Sequence, residues 1–165
     1  MPLSKSEFWS LVGTCVHDDT TTHRSKLKQH LDKLSDEDVA YFVAHHSAEL
    51  KRLHHWDVRA VAYAVMGGCS DDGFVDFRGW LVLKGREACE QVLSSPEKLI
   101  PVFSTLDDRM EEYLAFPSIY WEERSVSVDL PDLGDEPATT IAGSRFDPED
   151  LVKRFPALCQ AFDSA

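Results

Sequence analysis

The sequence predicts an all-α protein: a single compact multi-helix domain with an extended linker before a C-terminal helix. Apolar residues recur at helical spacing through most of the chain, and residues that favour helix starts precede these runs. A length of 165 residues with 43% apolar content suits one hydrophobic core. We therefore divide the chain into a helical core over residues 1–124, an extended linker or strap over 125–146, and a C-terminal helical segment over 147–165 that docks on the core.

Three helices are predicted in the first part of the chain. Ser4 and Glu7 have the spacing of a capping box in front of the first helix. A second helix, between His23 and Leu34, passes through a locally basic segment and is expected near the surface. Ser35 caps the third helix, whose apolar positions stay on one face for four turns.

The next two helices are predicted to be central. Residues 56–67 carry apolar side chains on two sides, and Gly67 is expected to end this helix in the left-handed conformation. Ser70 starts the following helix, which runs to about Lys84 and is apolar around nearly its whole circumference. Such a helix is stable only when it is buried.

Arg78 lies on an apolar face of this central helix, between Phe74 and Val82. An unpaired buried charge is costly, so the guanidinium needs a partner. Asp57 or Asp71 is the expected partner, because the nearer acid, Asp76, lies on another side of the helix.

The rest of the chain predicts shorter elements. A helix is expected from about Arg86 to Leu93, and another from Asp107 to about Glu123 that Pro117 kinks or divides. Residues 125–146 contain prolines and glycines with little periodicity, which is typical of an extended surface connection. Asp147 caps a last helix whose apolar positions, Val152 among them, are expected to face inward.

Composition excludes several classes of function. The net charge of −12 opposes binding to nucleic acid or to an anionic membrane, and no apolar run reaches the length of a membrane span. The acids concentrate in residues 104–136, which predicts an acidic surface. Without a signal peptide or a C-x-x-C pair, the chain is expected to be cytoplasmic with free thiols. The sequence leaves the oligomeric state open.

Residues 67–80, GGCSDDGFVDFRGW, are the strongest candidate for a site. Two adjacent acids in the first turn of a helix are typical of electrostatic stabilisation of its positive end. Alternatively they flank a pocket, as a general acid and base or as ligands of a hard cation, with Arg78 or Arg86 orienting an anionic group. The candidate catalytic residues are Asp71, Asp72 and Arg78, and the candidate ligand-binding residues are Trp56, Asp57, Cys69, Ser70, Asp71, Asp72, Arg78 and Arg86.

No metal or cofactor is expected. His46 and His54 lie about 12 Å apart along one helix, too far to share an ion, and no histidine pair has the i, i+4 spacing. Cys69 precedes a helix start, which can lower a thiol pKa, but a cysteine beside two glycines is more often a small packed residue. The chain has neither a G-x-S-x-G motif nor a phosphate-binding glycine loop.

The run H-W-D-x-x-x-x-A-Y-x-x-x-G-G-C-S-D-D-G-F-x-D-F-R-G-W-L-x-x-x-G-R, from His55 to Arg86, resembles the bacterial family catalogued as domain of unknown function 4240, common in actinomycetes. The resemblance extends over most of the chain and departs most in residues 104–127, around Pro117. It implies a mainly helical cytoplasmic domain and brings no activity with it.

Two functional hypotheses follow. The first is a helical binding or protein-interaction module with an acidic surface, which contacts a protein partner or a small ligand through that surface or through the rim around Trp56 and Trp80. The alternative is a small hydrolytic or acid/base enzyme that uses Asp71 and Asp72 with Arg78 or Arg86. The first is preferred, because no complete catalytic constellation can be assembled from the residues.

Overall fold

The computed structural model describes residues 1–125, 127–134 and 140–163, apart from the side chains of residues 114 and 115. Within these residues the regular structure is helical, so the all-α prediction is confirmed. Short 3₁₀ turns cover Pro96–Leu99 and Pro148–Asp150. The α-helices are α1 (Lys5–Cys15), α2 (Thr20–Leu31), α3 (Asp36–Arg52), α4 (Trp56–Met66), α5 (Asp71–Leu83), α6 (Arg86–Ser94), α7 (Ile100–Phe103), α8 (Glu111–Glu123), α9 (Leu151–Arg154) and α10 (Pro156–Ala161).

Local capping rules fix the starts of the predicted helices. The Ser4 side chain accepts a hydrogen bond from the Glu7 amide while Glu7 accepts one from the Ser4 amide, so the capping box is confirmed. The hydroxyls of Ser35 and Ser70 cap α3 and α5 in the same way. Each cap of this kind typically contributes about 1 kcal/mol. Gly67 ends α4 in the left-handed conformation, at φ +69°, as predicted.

The centre of the fold is α5, which packs against α3, α4, α6 and, most extensively, α8. Its Phe77 and Trp80 rings lie against each other and against Phe103 of α7. The prediction that α5 is apolar and buried around nearly its whole circumference is too broad, because Val75 is exposed. α4 is buried on two sides, as predicted, through Val58, Ala60, Val61, Ala62, Ala64 and Val65.

The later helices differ from the prediction. Pro117 lies inside α8 and does not divide it, since the buried Phe116 and Tyr120 beside it hold the helix against the core. The C-terminal segment is not one continuous helix, because Pro156 separates α9 from α10. Val152 is exposed, contrary to the expected inward position.

The described part of the strap contains no helix and joins α4 through its backbone. The Trp56 amide donates to the Ala142 carbonyl at 2.9 Å, and the Ala142 amide donates to the His54 carbonyl at 3.1 Å. Gly143 follows with φ +81°, and a Cβ there would lie 2.5 Å from the His55 ring, so this position requires glycine.

The C-terminal helices place Leu151, Phe155, Leu158 and Cys159 in the same core, and α10 contacts α4. Residues 126 and 135–139 of the predicted strap, and residues 164–165 of the C-terminal segment, lie outside the described residues. The division into core, strap and docking segment stays a prediction. None of the helices in the described ranges is long and apolar enough to span a membrane.

Candidate ligand-binding site

A pocket of about 630 Å³ lies between α4, the turn that joins α4 to α5, and the strap. This volume falls within the range of small-molecule sites, roughly 300–1,000 Å³. Its walls are aromatic and charged. The lining residues are Trp56, Arg59, Tyr63, Cys69, Asp71, Arg145, Phe146, Asp147 and Pro148.

The first wall is one face of α4. Trp56, Arg59 and Tyr63 stand at i, i+3 and i+7, the spacing that aligns side chains along a helix. The backbone hydrogen bond from Trp56 to the strap carbonyl of Ala142 fixes the start of this face. The wall is therefore built by a regular element and is held in place at its end.

Arg59 connects this wall to the start of α5. Its guanidinium lies 2.8 Å from a carboxylate oxygen of Asp71 and donates to the Cys69 carbonyl at 3.2 Å. It also lies over the rings of Trp56 and Phe74, at 5.6 Å from each centroid. The Arg59 side chain is only 16% exposed while Asp71 is 91% exposed, so the carboxylate is reachable from solvent and the arginine is partly enclosed.

The strap supplies the second wall. The Arg145 guanidinium lies 5.6 Å from the Trp56 ring centroid. Phe146 stands edge-on to Trp56 and to Tyr63, with centroid distances of 6.2 and 5.7 Å. Arg145 is exposed and makes no ion pair within the described residues. Its guanidinium is therefore available to a ligand in the pocket.

Cys69 lines the pocket, but its thiol is not activated. Burial raises the pKa of Cys69 to about 11, although the positive charge of Arg59 acts in the opposite direction. The thiol is therefore protonated at neutral pH and is a poor nucleophile. Ser70, a predicted ligand residue, uses its hydroxyl to accept a hydrogen bond from the Gly73 amide at 3.0 Å as the cap of α5.

The predicted partner of Arg78 was wrong. Arg78 donates to the Leu50 carbonyl at 2.7 Å and lies 4.7 Å from the Phe74 ring centroid. Asp71 pairs instead with Arg59, and Asp57 pairs with Arg154 at 2.6 Å. A carbonyl and an aromatic face take the place of a carboxylate, although the buried Nε has no hydrogen-bond partner among the described residues, and Arg78 lies in the core outside the pocket walls.

The remaining candidate residues are dispersed. Asp72 is exposed on α5 and does not line the pocket. Arg86 pairs with Glu90 at 2.8 Å along α6 and borders a different cleft, of about 210 Å³, which Trp9 also lines. Of the predicted ligand residues, the pocket brings together Trp56, Cys69 and Asp71.

Six lining residues were not among the predicted ligand residues: Arg59, Tyr63, Arg145, Phe146, Asp147 and Pro148. The α4 pair carried a detectable signal, because Arg59 and Tyr63 lie at i+3 and i+7 from Trp56, which was a predicted ligand residue. The strap pair carried none, since an extended segment without periodicity does not indicate which residues turn toward the body.

The histidines and acids do not gather into a metal site in the described residues, where no group of three or more potential His, Cys, Asp or Glu ligands occurs. The acidic surface predicted over residues 104–136 stays a prediction. Where α5 meets α8, burial raises the pKa of Asp76, and the negative charges of Glu111 and Asp72 act in the same direction.

The fold and the site define an all-helical domain with an aromatic, guanidinium-lined pocket beside its fourth helix. Residues 3–123 match the family described as protein of unknown function (DUF4240), and the chain belongs to that family. The resemblance seen in residues 55–86 is thus confirmed at the level of the family. No curated protein matches the chain, and no solved structure matches it.

Proposed function

We propose that this protein is a binding module for a small organic anion, held in the pocket between α4 and the strap. The observation that carries the proposal is the presence of two guanidinium groups, those of Arg59 and Arg145, each 5.6 Å from the ring centroid of Trp56. Arginine recognises carboxylates and phosphates through paired hydrogen bonds. Aromatic walls beside such groups bind the apolar part of a ligand.

The two arginines differ in burial, which supports different roles for them in binding. Arg59 is partly enclosed and is held by Asp71 and by the Cys69 carbonyl, so its guanidinium is fixed in position and its charge is balanced by Asp71. Arg145 is exposed and reaches the same ring from the strap. A ligand anion that enters the pocket meets one preorganised hydrogen-bond donor in Arg59 and one adaptable charge in Arg145.

The enzymatic alternative has weaker support. It needs Asp71 and Asp72 beside Arg78 or Arg86, but Asp71 is paired with Arg59 and the two other arginines lie outside the pocket walls. The Cys69 thiol is protonated at neutral pH because burial raises its pKa. A protein partner for the acidic surface stays a prediction.

The proposal is tested by nuclear magnetic resonance of the tryptophan indole N–H groups. The Trp56 signal is identified by its loss in Trp56→Phe, and the protein is titrated separately with inorganic phosphate, citrate, adenosine monophosphate and 2-naphthoate. We expect at least one anion to shift the Trp56 signal saturably at millimolar concentration or below. The signals of Trp9, Trp80 and Trp121 are internal controls, because these side chains do not line the pocket.

Two results would contradict the proposal. In one, none of the four anions moves the Trp56 signal. In the other, all four indole signals move in parallel, which indicates a general salt effect and no occupied pocket.

A further inference from the structure

The pocket combines residues inside the part of the chain that matches the family with residues outside that part. Trp56, Arg59, Tyr63 and Asp71 lie within the matched residues 3–123. The second wall, formed by residues 145–146 of the strap and 147–148 of the C-terminal segment, lies beyond them. The strap therefore adds chemistry that the family match does not include.

The charges on the pocket walls indicate which residue recognises the charged group of the ligand. Arg59 and Asp71 neutralise each other at 2.8 Å. Asp147 uses one carboxylate oxygen to cap the next turn, accepting from the Glu149 amide at 3.0 Å. Arg145 makes no ion pair in the part of the chain that the structure describes. Arg145 can therefore pair with a ligand, and a guanidinium binds a carboxylate through two parallel hydrogen bonds.

The total charge of the walls limits the charge of the ligand. Two arginines face two aspartates, so the lining is formally neutral. A dianion would leave one negative charge without a partner beside Asp71 and Asp147, and such charge repulsion weakens binding. A ligand with one negative charge can pair with Arg145, the wall arginine without an ion pair in the described residues, and meets less repulsion from Asp147 than a dianion does.

The aromatic walls indicate the body of the ligand. The Phe146 ring is inclined by 69° to the Trp56 ring and by 69° to the Tyr63 ring. These rings form an apolar corner beside the Arg145 guanidinium, against which a planar group can pack. A volume of about 630 Å³ admits a molecule of two fused rings.

We infer that the pocket binds an aromatic monocarboxylate, and that Arg145 and Phe146 of the strap determine this specificity. The inference rests on the proposed function and names its ligand class. Arg145 holds the carboxylate, and Phe146 closes the aromatic wall against Trp56 and Tyr63.

The backbone of the strap explains how these two side chains are positioned. Ala142 is bonded through its carbonyl to Trp56 of α4 and through its amide to His54 just before α4, and Gly143 lies against the His55 ring in a conformation that requires glycine. Arg145 follows Gly143 by two residues, so its Cα lies no more than about two residue lengths from the anchored backbone of Gly143. The specificity residues are therefore carried on an anchored segment.

The test measures the affinity for 2-naphthoate by isothermal titration calorimetry, with the neutral analogue 2-naphthamide for comparison. We expect the protein to prefer the carboxylate and Arg145→Gln to bind it about tenfold or more weakly, as the loss of a charged hydrogen-bond pair implies. Lys153→Gln is the matched control. This change removes a positive charge from the neighbouring C-terminal segment, at a side chain that is 85% exposed and lies outside the pocket walls, so the affinity of this variant should stay within twofold.

Charge reversal gives a positive readout. Arg145→Glu should bind 2-naphthylmethylamine, a cation of similar shape, more tightly than 2-naphthoate, whereas the unaltered protein should show the opposite order. Phe146→Ala should weaken both ligands while it preserves their order. These variants alter exposed or partly exposed side chains, and circular dichroism verifies that they are folded.

The outcomes separate this inference from the proposed function. If phosphate, citrate or adenosine monophosphate moves the Trp56 signal while 2-naphthoate does not bind, the ligand class is wrong and the anion-binding proposal stands. If 2-naphthoate binds equally well to Arg145→Gln, the assignment of Arg145 is overturned and the pocket still binds anions. If no anion of the panel binds, both fall together.

Discussion

Arg78 and Arg59 lie over the Phe74 ring, 4.7 and 5.6 Å from its centroid, yet they belong to different regions of the molecule. Arg78 is buried in the core, where it donates to the Leu50 carbonyl. Arg59 borders the pocket and pairs with the exposed Asp71. Two arginines on one aromatic ring therefore differ in their surroundings: Arg78 has a backbone carbonyl as its hydrogen-bond partner within the core, whereas Arg59 also pairs with a carboxylate that is exposed to solvent.

The largest expected effect comes from removal of the ring that both regions share. Phe74→Ala should lower the free energy of unfolding by about 3–5 kcal/mol, because it opens a cavity and removes the surface under both guanidinium groups. Urea denaturation followed by circular dichroism measures the change. Val75→Ala is the matched control, since Val75 is next in sequence and is exposed, and its effect should be below about 1 kcal/mol. Equal losses in the two variants would refute the central position of Phe74.

The second prediction concerns pH and belongs to the core. Burial lowers the pKa of His23 from 6.5 to about 4, and the charges of Lys84 and His17 lower it further. Burial alone lowers the pKa of His46 to about 4 as well. Both rings stay neutral in the folded protein, so their stabilisation is complete above pH 6.5 and is lost as pH falls from 6.5 toward 4.

Urea unfolding between pH 7 and pH 5 should show this loss as a steady fall in the free energy of unfolding. His23→Leu removes one of the two groups, so its stability should depend less steeply on pH in this range. His30→Leu is the control, because His30 lies exposed on the same helix and its removal should leave the slope unchanged. A slope in His23→Leu equal to that of the unaltered protein would contradict the prediction.

The third prediction separates the two arginines. Arg78→Met keeps the aliphatic stem but leaves the Leu50 carbonyl without its donor, so we expect a loss of about 2 kcal/mol in the free energy of unfolding. Binding of 2-naphthoate should stay within twofold. Arg86→Met is the control for stability, since it breaks only an exposed pair with Glu90, worth about 0.5 kcal/mol. Weaker binding by a folded Arg78→Met variant would place Arg78 in the binding site and would contradict its assignment to the core.

The smallest effect on stability is expected at Asp71, the exposed partner of Arg59. Asp71→Asn should lower the free energy of unfolding by about 0.5 kcal/mol, because the carboxylate is 91% exposed and its pair with Arg59 is screened by water. The same change should strengthen the binding of 2-naphthoate, since it removes a negative charge from the pocket. Calorimetry measures the second effect, and weaker binding would show that Asp71 recognises the ligand directly.

Elements that follow from neighbouring residues could be predicted from the sequence. Ser4, Ser35 and Ser70 start helices because their hydroxyls reach amides three positions ahead, and Gly67 ends one because its backbone enters the left-handed region. The reach of these interactions is a single helical turn.

Interactions between distant positions could not be predicted. The carbonyl that accepts from Arg78 belongs to Leu50, 28 positions away, and helical spacing within α5 does not indicate it. Arg145 and Phe146 reach the pocket because the strap pairs at Ala142 with His55, just before α4, a register that no periodic pattern encodes. Of the predicted ligand residues, Trp56, Cys69 and Asp71 line the pocket, and Arg145 and Phe146 of the strap were not among the predicted ones.

The two backbone hydrogen bonds that join Ala142 to His54 and Trp56, at the start of α4, connect segments that are far apart in sequence. Amide protons held in such bonds exchange with heavy water only when the strap lifts from the helix. The exchange rates of the Trp56 and Ala142 amides therefore measure how often the pocket loses its second wall. An aromatic carboxylate that bridges the two walls should slow both rates together, and this slowing reports the opening of the binding site in units of time.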